Sequence, residues 1–189
     1  MHKSNPSRQT ISFAAMNEVF LMIGSNLGDR QNNLNLAINL IEERIGKVFR
    51  MSSVYETEPF GIKEQPSFLN KIISVLNDNN PQIILATILE IEKILGRERT
   101  VKWAERIIDI DILFFGNKII NESNLIIPHE GIEFRRFTLI PLNEIVPDFE
   151  HPKIHETIHE ILEVCNDSLA VVMVGNGNIE SKLKEIKSC

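Results

Sequence analysis

Asp109 and Asp111 are two carboxylates one residue apart inside an apolar run, Ile107-Ile108-Asp109-Ile110-Asp111-Ile112-Leu113-Phe114-Phe115. In an extended chain alternate side chains share a face, so the two aspartates point one way, roughly 7 Å apart, and Ile108, Ile110 and Ile112 point the other. Hard oxygen donors at that spacing suit Mg²⁺ shared with phosphate oxygens. Just upstream, residues 96–106 carry Arg97, Arg99, Lys102 and Arg106 with the single tryptophan of the chain, Trp103, against Glu98 and Glu105. Guanidinium groups suit the phosphates themselves. Asp-x-Asp and a run of cations are each common alone; together they are the parts of a phosphoryl-type transfer, where positioning and charge neutralisation do most of the catalysis.

Two further groups of residues stand out. Tyr55-Glu56-Thr57-Glu58-Pro59-Phe60-Gly61 and Gln65-Pro66-Ser67-Phe68-Leu69-Asn70 set aromatic rings beside a hydroxyl and an amide. A planar heterocycle with a hydrogen-bonding edge needs such a set, although the residue types alone favour a core role for Phe60 and Phe68. Pro128-His129 precedes Arg135-Arg136-Phe137 by a few residues. His151, His155 and His159 read as surface or capping residues. Gly24-Ser25-Asn26-Leu27-Gly28 lacks the Gly-Lys-Ser/Thr ending of a P-loop and reads as a tight turn whose glycine allows close ligand approach.

The elements that must hold these residues follow from pattern. Residues 19–23 form an apolar strand closed by the Gly24 turn, and Asp29 is the expected N-cap of a helix with Leu34, Ala37, Ile38, Ile41 and Ile45 on one face, ended by Gly46. Residues 48–55 favour one strand and 56–66 a long ligand loop, with a further strand at 68–76. Pro81 opens a second helix whose core face is Ile84, Leu85, Ile88, Ile91 and Leu95, stopped by Gly96. With the Asp109 strand the order is βαββαβ: an α+β ferredoxin-like sandwich, an antiparallel sheet with helices packed on it. Additions follow toward the C-terminus: a hairpin strand at 118–120, a loop approach at 125–129, a short packed segment at 137–142, a last helix at 157–164 and a terminal strand at 169–174. Residues 1–16 read as a flexible extension, 17–175 as one domain and 176–189 as a polar tail.

A length of 189 residues at 43% hydrophobic allows one real core, and a net charge of −6 argues against coating nucleic acid. Cys165 and Cys189 show no metal spacing and read as reduced thiols of a cytoplasmic protein. No apolar run is long enough for a membrane span, and residues 1–15 lack the apolar core of a secretory signal.

Six blocks in order carry a resemblance: Gly24-Ser25-Asn26-Leu27-Gly28; Tyr55-x-Thr57-x-Pro59-x-Gly61; Gln65-Pro66-x-Phe68-x-Asn70; Ile91-Glu92 ahead of Gly96-Arg97-x-Arg99; Trp103-x-x-Arg106-x-x-Asp109-x-Asp111; and Pro128-His129 ahead of Arg135-x-Phe137. Over residues 19–152 the chain resembles the 6-hydroxymethyl-7,8-dihydropterin pyrophosphokinase family. The resemblance implies transfer of pyrophosphate from ATP to the pterin hydroxymethyl group, releasing AMP, in folate biosynthesis; a monomer acting on these small molecules is the expectation for the chain. It implies that Asp109 and Asp111 bridge two Mg²⁺ ions and that Arg97, Arg106, His129 and Arg135 contact nucleotide phosphates. It further implies that Arg99 and Trp103 belong to a mobile loop and that Glu92 lies by the nucleotide. Phe68 and Phe137 would sandwich the pterin while Thr57, Phe60 and Asn70 meet its polar edge, Phe60 through its backbone. Glu130 and Leu89 depart from residues common in the family at those places.

Two alternatives remain. A nucleotidyltransferase pairs Gly-Ser with a nearby acidic pair, whereas Asp109 lies more than eighty residues beyond Ser25. A non-catalytic ferredoxin-like regulatory module needs no paired aspartates facing a basic loop.

Overall fold

The computed structural model describes residues 16–98 and 104–175, so the expectations placed on 1–15, Arg99, Lys102, Trp103 and 176–189 lie outside the described residues. The elements run β1 (Asn17–Ser25), α1 (Arg30–Arg44), β2 (Val48–Met51), β3 (Tyr55–Thr57), β4 (Phe68–Asn77), α2 (Pro81–Ile94), β5 (Asp109–Phe115), β6 (Ile120–Glu122), β7 (Leu125–Ile127), α3 (Arg136–Ile145), α4 (Ile158–Val164) and β8 (Val171–Met173). β1 is central because its alternate residues are apolar on both faces, with Val19 to Ile23 all buried. It pairs antiparallel with β4 on one side and β5 on the other, and the sheet continues from β4 to β3 and β8, with β2 also on β4. This is the expected ferredoxin-like arrangement with an added edge strand.

Helix ends follow local chemistry. The Asp29 side chain accepts from the Asn32 N–H to start α1, and Asn80 accepts from the Gln82 and Ile83 N–H groups to start α2, with Pro81 at the first turn. The strand expected at 48–55 is instead two short strands. Ser52 breaks it: its Oγ accepts the Ile72 N–H at 2.9 Å, so a side chain takes the place of a carbonyl in the ladder and the chain steps sideways there.

Each face of the sheet carries its own core. One joins Leu21, Ile23, Ile73, Ile110 and Ile112 to Leu34 and Ile41 of α1 and Ile84, Ile88 and Ile91 of α2. The other joins Phe20, Met22, Ile72, Leu113 and Phe114 to Leu139 and Leu142 of α3 and Ile158 and Ile161 of α4. The short packed segment expected at 137–142 is thus a helix of ten residues with Pro141 inside it. Pro141 removes one intrahelical hydrogen bond and crowds the carbonyl one turn back, and its neighbours Leu139 and Leu142 are fully buried against the sheet. α4 begins at a capping box of Thr157 and Glu160, and β6 and β7 form a separate hairpin in which the loop approach at 125–129 becomes a strand. α3 and α4 cover only part of their face. The uncovered end, where β5, β1, β4 and β3 lie side by side, is the floor of a cleft.

Candidate active site

β5 alternates as expected, with Ile108, Ile110 and Ile112 buried and Asp109 and Asp111 half-buried on the opposite face. Both oxygens of Asp109 are engaged: Arg97 Nη1 donates to Oδ1 at 2.5 Å, and Arg106 Nη2 lies 2.6 Å from Oδ2. Arg97 Nη1 also donates to Glu92 Oε1, which accepts the Ile110 N–H at 2.9 Å. Glu92 is 2% exposed and sits behind Arg97, away from the cleft wall. His129 Nε2 lies 4.0 Å from Asp111 Oδ1. The Arg106 guanidinium lies 4.9 Å from the Phe68 ring centre, donates from Nη1 to the Ala104 carbonyl at 3.2 Å, and has its Nε buried without a partner among the described residues.

Charge is unevenly balanced between the two aspartates. Burial and then the Asp109 charge push the Asp111 carboxyl up to about 7, against the pull of Arg106 and Arg97. A divalent cation would relieve that repulsion, and the donors are hard oxygens, so the pair fits Mg²⁺. Among the described residues no cluster of three or more His, Cys, Asp or Glu closes a cage, and Mg²⁺ commonly takes one or two carboxylates and fills its shell with water and substrate phosphate oxygens. Burial and the nearby Arg135 hold the His129 imidazole below its ordinary value, so it is a neutral hydrogen-bonding group at neutral pH.

The other end of the cleft is aromatic. Phe68 and Asn70 come from β4, Thr57 from β3, Phe60 from the long loop and Phe137 from α3. Asn70 Nδ2 donates to Thr57 Oγ1 at 2.8 Å, both residues being buried. The Phe60 and Phe137 ring centres are 6.2 Å apart, and the Arg135 guanidinium stands 5.2 Å from the first and 6.0 Å from the second. Gly24 lies between the two ends, paired in register with Asn70 on one side and Asp109 on the other. A Cβ there would stand 2.5 Å from Asn70 Oδ1, so only glycine leaves that amide in place.

The cleft encloses about 530 Å³, within the range of small-molecule sites. Arg97, Arg106, Asp109, Asp111, His129, Arg135, Thr57, Phe60, Phe68, Asn70 and Phe137 all line it. Glu92 does not, and Arg99 and Trp103 lie outside the described residues. Asn26, read from sequence only as a turn residue, proves to be a junction. Its Oδ1 accepts the Arg106 N–H at 2.8 Å, its N–H donates to the Arg106 carbonyl at 3.2 Å, and its Nδ2 donates to Gln65 Oε1 at 3.1 Å and the Pro66 carbonyl at 3.3 Å. One asparagine thereby joins the arginine segment to the end of the long loop. The signal was its place at the mouth of a buried strand, where an amide must find partners.

A carboxylate pair under arginines, an aromatic pocket beside it and an antiparallel sheet beneath both define the class: an α+β phosphotransfer site for small molecules. The model of the 7,8-dihydro-6-hydroxymethylpterin-pyrophosphokinase family matches residues 20–147, and the chain belongs to that family. It is 38% identical over 135 residues to the 2-amino-4-hydroxy-6-hydroxymethyldihydropteridine pyrophosphokinase of Bacillus subtilis, covering 71% of this chain and 81% of that one. The corresponding protein of Aquifex aeolicus is 37% identical over 145 residues, covering 77% and 90%. The folic acid synthesis protein fol1 of Pneumocystis carinii is 40% identical over 134 residues, but the chain spans only 18% of that longer protein. Among solved structures, Plasmodium falciparum HPPK-DHPS with pteroate matches at a TM-score of 0.67 and 20% identity, over 78% of this chain and 44% of that one, a likeness of fold.

Proposed function

We propose that the chain transfers the pyrophosphoryl group of ATP to the hydroxymethyl oxygen of 6-hydroxymethyl-7,8-dihydropterin, giving AMP and the pterin diphosphate, a step of folate biosynthesis. The observation that carries this reading is the meeting of the charged and aromatic groups in one cleft, with Gly24 between them. Asp109 and Asp111 would hold two Mg²⁺ ions, which when bound would neutralise phosphate charge and template the two substrates. Arg97 and Arg106, now held by Asp109, exchange that partner for ATP oxygens and meet the charge that develops as the acceptor oxygen bonds to the β-phosphorus and the bond to AMP breaks. Neutral His129 and Arg135 bind phosphate from the far wall. Glu92 acts through Arg97, fixing the guanidinium from behind. Arg99 and Trp103 are assigned to the nucleotide, as the family resemblance implies.

At the other end Phe68 and Phe137 stack on the pterin, Thr57 and Asn70 read its polar edge, and the Phe60 backbone completes that edge. The protein acts as a monomer in the cytoplasm on these small molecules and not on nucleic acid, the last supported by a net charge of −6. The test is product analysis with ATP, Mg²⁺ and the dihydropterin. AMP with pterin diphosphate is expected; release of free pyrophosphate would give a nucleotidyltransferase instead, and no turnover with Mg²⁺-independent ATP-analogue binding would give the regulatory module.

A further inference from the structure

The long loop at 58–67 leaves the sheet after Thr57 and returns to it at Phe68, and those two residues face each other across the β3–β4 pair. Their neighbours Glu56 and Ser67 meet on the opposite side from the cleft, at the first turn of α1. Arg30 Nη1 lies 2.9 Å from Glu56 Oε1, 2.8 Å from the Ser67 carbonyl and 3.2 Å from Ser67 Oγ, and Ser67 Oγ donates to the same Glu56 oxygen at 2.6 Å. The Glu56 side chain is only 8% exposed. None of these groups lines the cleft. A surface ion pair would carry little consequence, but a buried carboxylate shared by an arginine and a hydroxyl is costly to leave unpartnered, so the three groups hold one geometry.

We propose that Arg30 is a positioning residue for the acceptor site: through Glu56 and Ser67 it clamps both ends of the 58–67 loop and so sets Thr57 and Phe68 against the pterin. Assigning the acceptor rests on the reading under Proposed function; the clamp itself does not. The clamp reaches the charged end of the cleft only indirectly, through the Asn26 junction at the end of the loop and the Phe68 ring beside Arg106, so its loss falls mainly on the acceptor.

Two measurements test this on the whole chain. Amide hydrogen exchange without ligand is expected to quicken over 58–67 in Arg30→Ala while 81–94 and 109–115 keep their protection. With both substrates, Arg30→Ala is expected to raise the KM for the dihydropterin about tenfold, the loss expected of one charge-assisted hydrogen bond, and the KM for ATP by a clearly smaller factor. Arg30→Lys, whose ammonium offers three N–H groups to three oxygens, is expected to recover part of both effects. Unchanged exchange over 58–67, or equal losses for both substrates, overturns the clamp. If Arg30→Ala unfolds globally, Ser67→Ala, which removes only the hydroxyl, must show the same pattern in weaker form or the proposal falls. A wild type that makes no AMP would sink the functional reading while leaving the exchange result to decide the clamp.

Discussion

The two ends of the cleft are built on opposite principles. At the charged end acids and arginines hold one another: Asp109 holds both Arg97 and Arg106, and burial together with the Asp109 charge raises the Asp111 carboxyl to about 7. At the aromatic end the groups are fixed by bonds that a substrate need not break, such as the Asn70–Thr57 bond beneath it. The first end stores charge and exchanges it; the second is a preformed mould. Losses at the first should fall on turnover, and losses at the second on acceptor binding.

The sharpest way to break this contrast is Asp111→Asn. Turnover is expected to fall by about a thousandfold or more, since the proposed metal platform is lost, while the thermal midpoint holds or rises because a like-charge repulsion goes with it. Near-normal turnover with Mg²⁺ would end the division. Arg106→Ala comes next, with kcat down by about a hundredfold; a rise in KM alone would make Arg106 a uniform binder. Gly24→Ala should strike the other end, weakening dihydropterin binding about tenfold by forcing Asn70 aside while calorimetric binding of an ATP analogue with Mg²⁺ persists.

Smaller effects come from protons. Because the Asp111 carboxyl is raised to about 7, cation binding must displace its proton; Mg²⁺ affinity is expected to weaken below about pH 7, by at most about tenfold per pH unit, and calorimetry in buffers of different ionisation enthalpy should show proton release. A flat affinity from pH 6 to 8 would show that the pair does not hold a proton. Remote from both ends, buried His151 accepts the Lys153 and Ile154 N–H groups at Nδ1 and is held neutral, burial lowering it below its ordinary value. A depressed folded value means the stability is present above about pH 6.5 and is lost as pH falls through the folded value. The urea midpoint should therefore fall between pH 7 and 5, and His151→Gln should flatten that fall.

Much of this could be read from residues because the relevant signals are local. Asp109 and Asp111 share a face by strand geometry alone, and Asp29 and Pro81 announce helix starts through backbone groups next to them. What could not be read depends on distant partners. The break at Ser52 is visible only once Ile72 is opposite it, and the helix around Pro141 needs the sheet face on which Leu139 and Leu142 pack. Asn26 reads as a turn residue because its partners, Arg106 and Gln65, stand eighty and thirty-nine residues away. Phe68 was ambiguous for a physical reason as well: at 7% exposure it is both a core residue and a wall.

The pairing of Gly24 with Asn70 and with Asp109 has one more consequence. Adjacent strands in a sheet are held about 4.8 Å apart by their own peptide hydrogen bonds, so two such steps set roughly 10 Å between the backbone at Asn70 and the backbone at Asp109. That span is a ruler written in main chain. Loops and side chains around it can change in length and composition while the spacing between those two backbone positions stays the same.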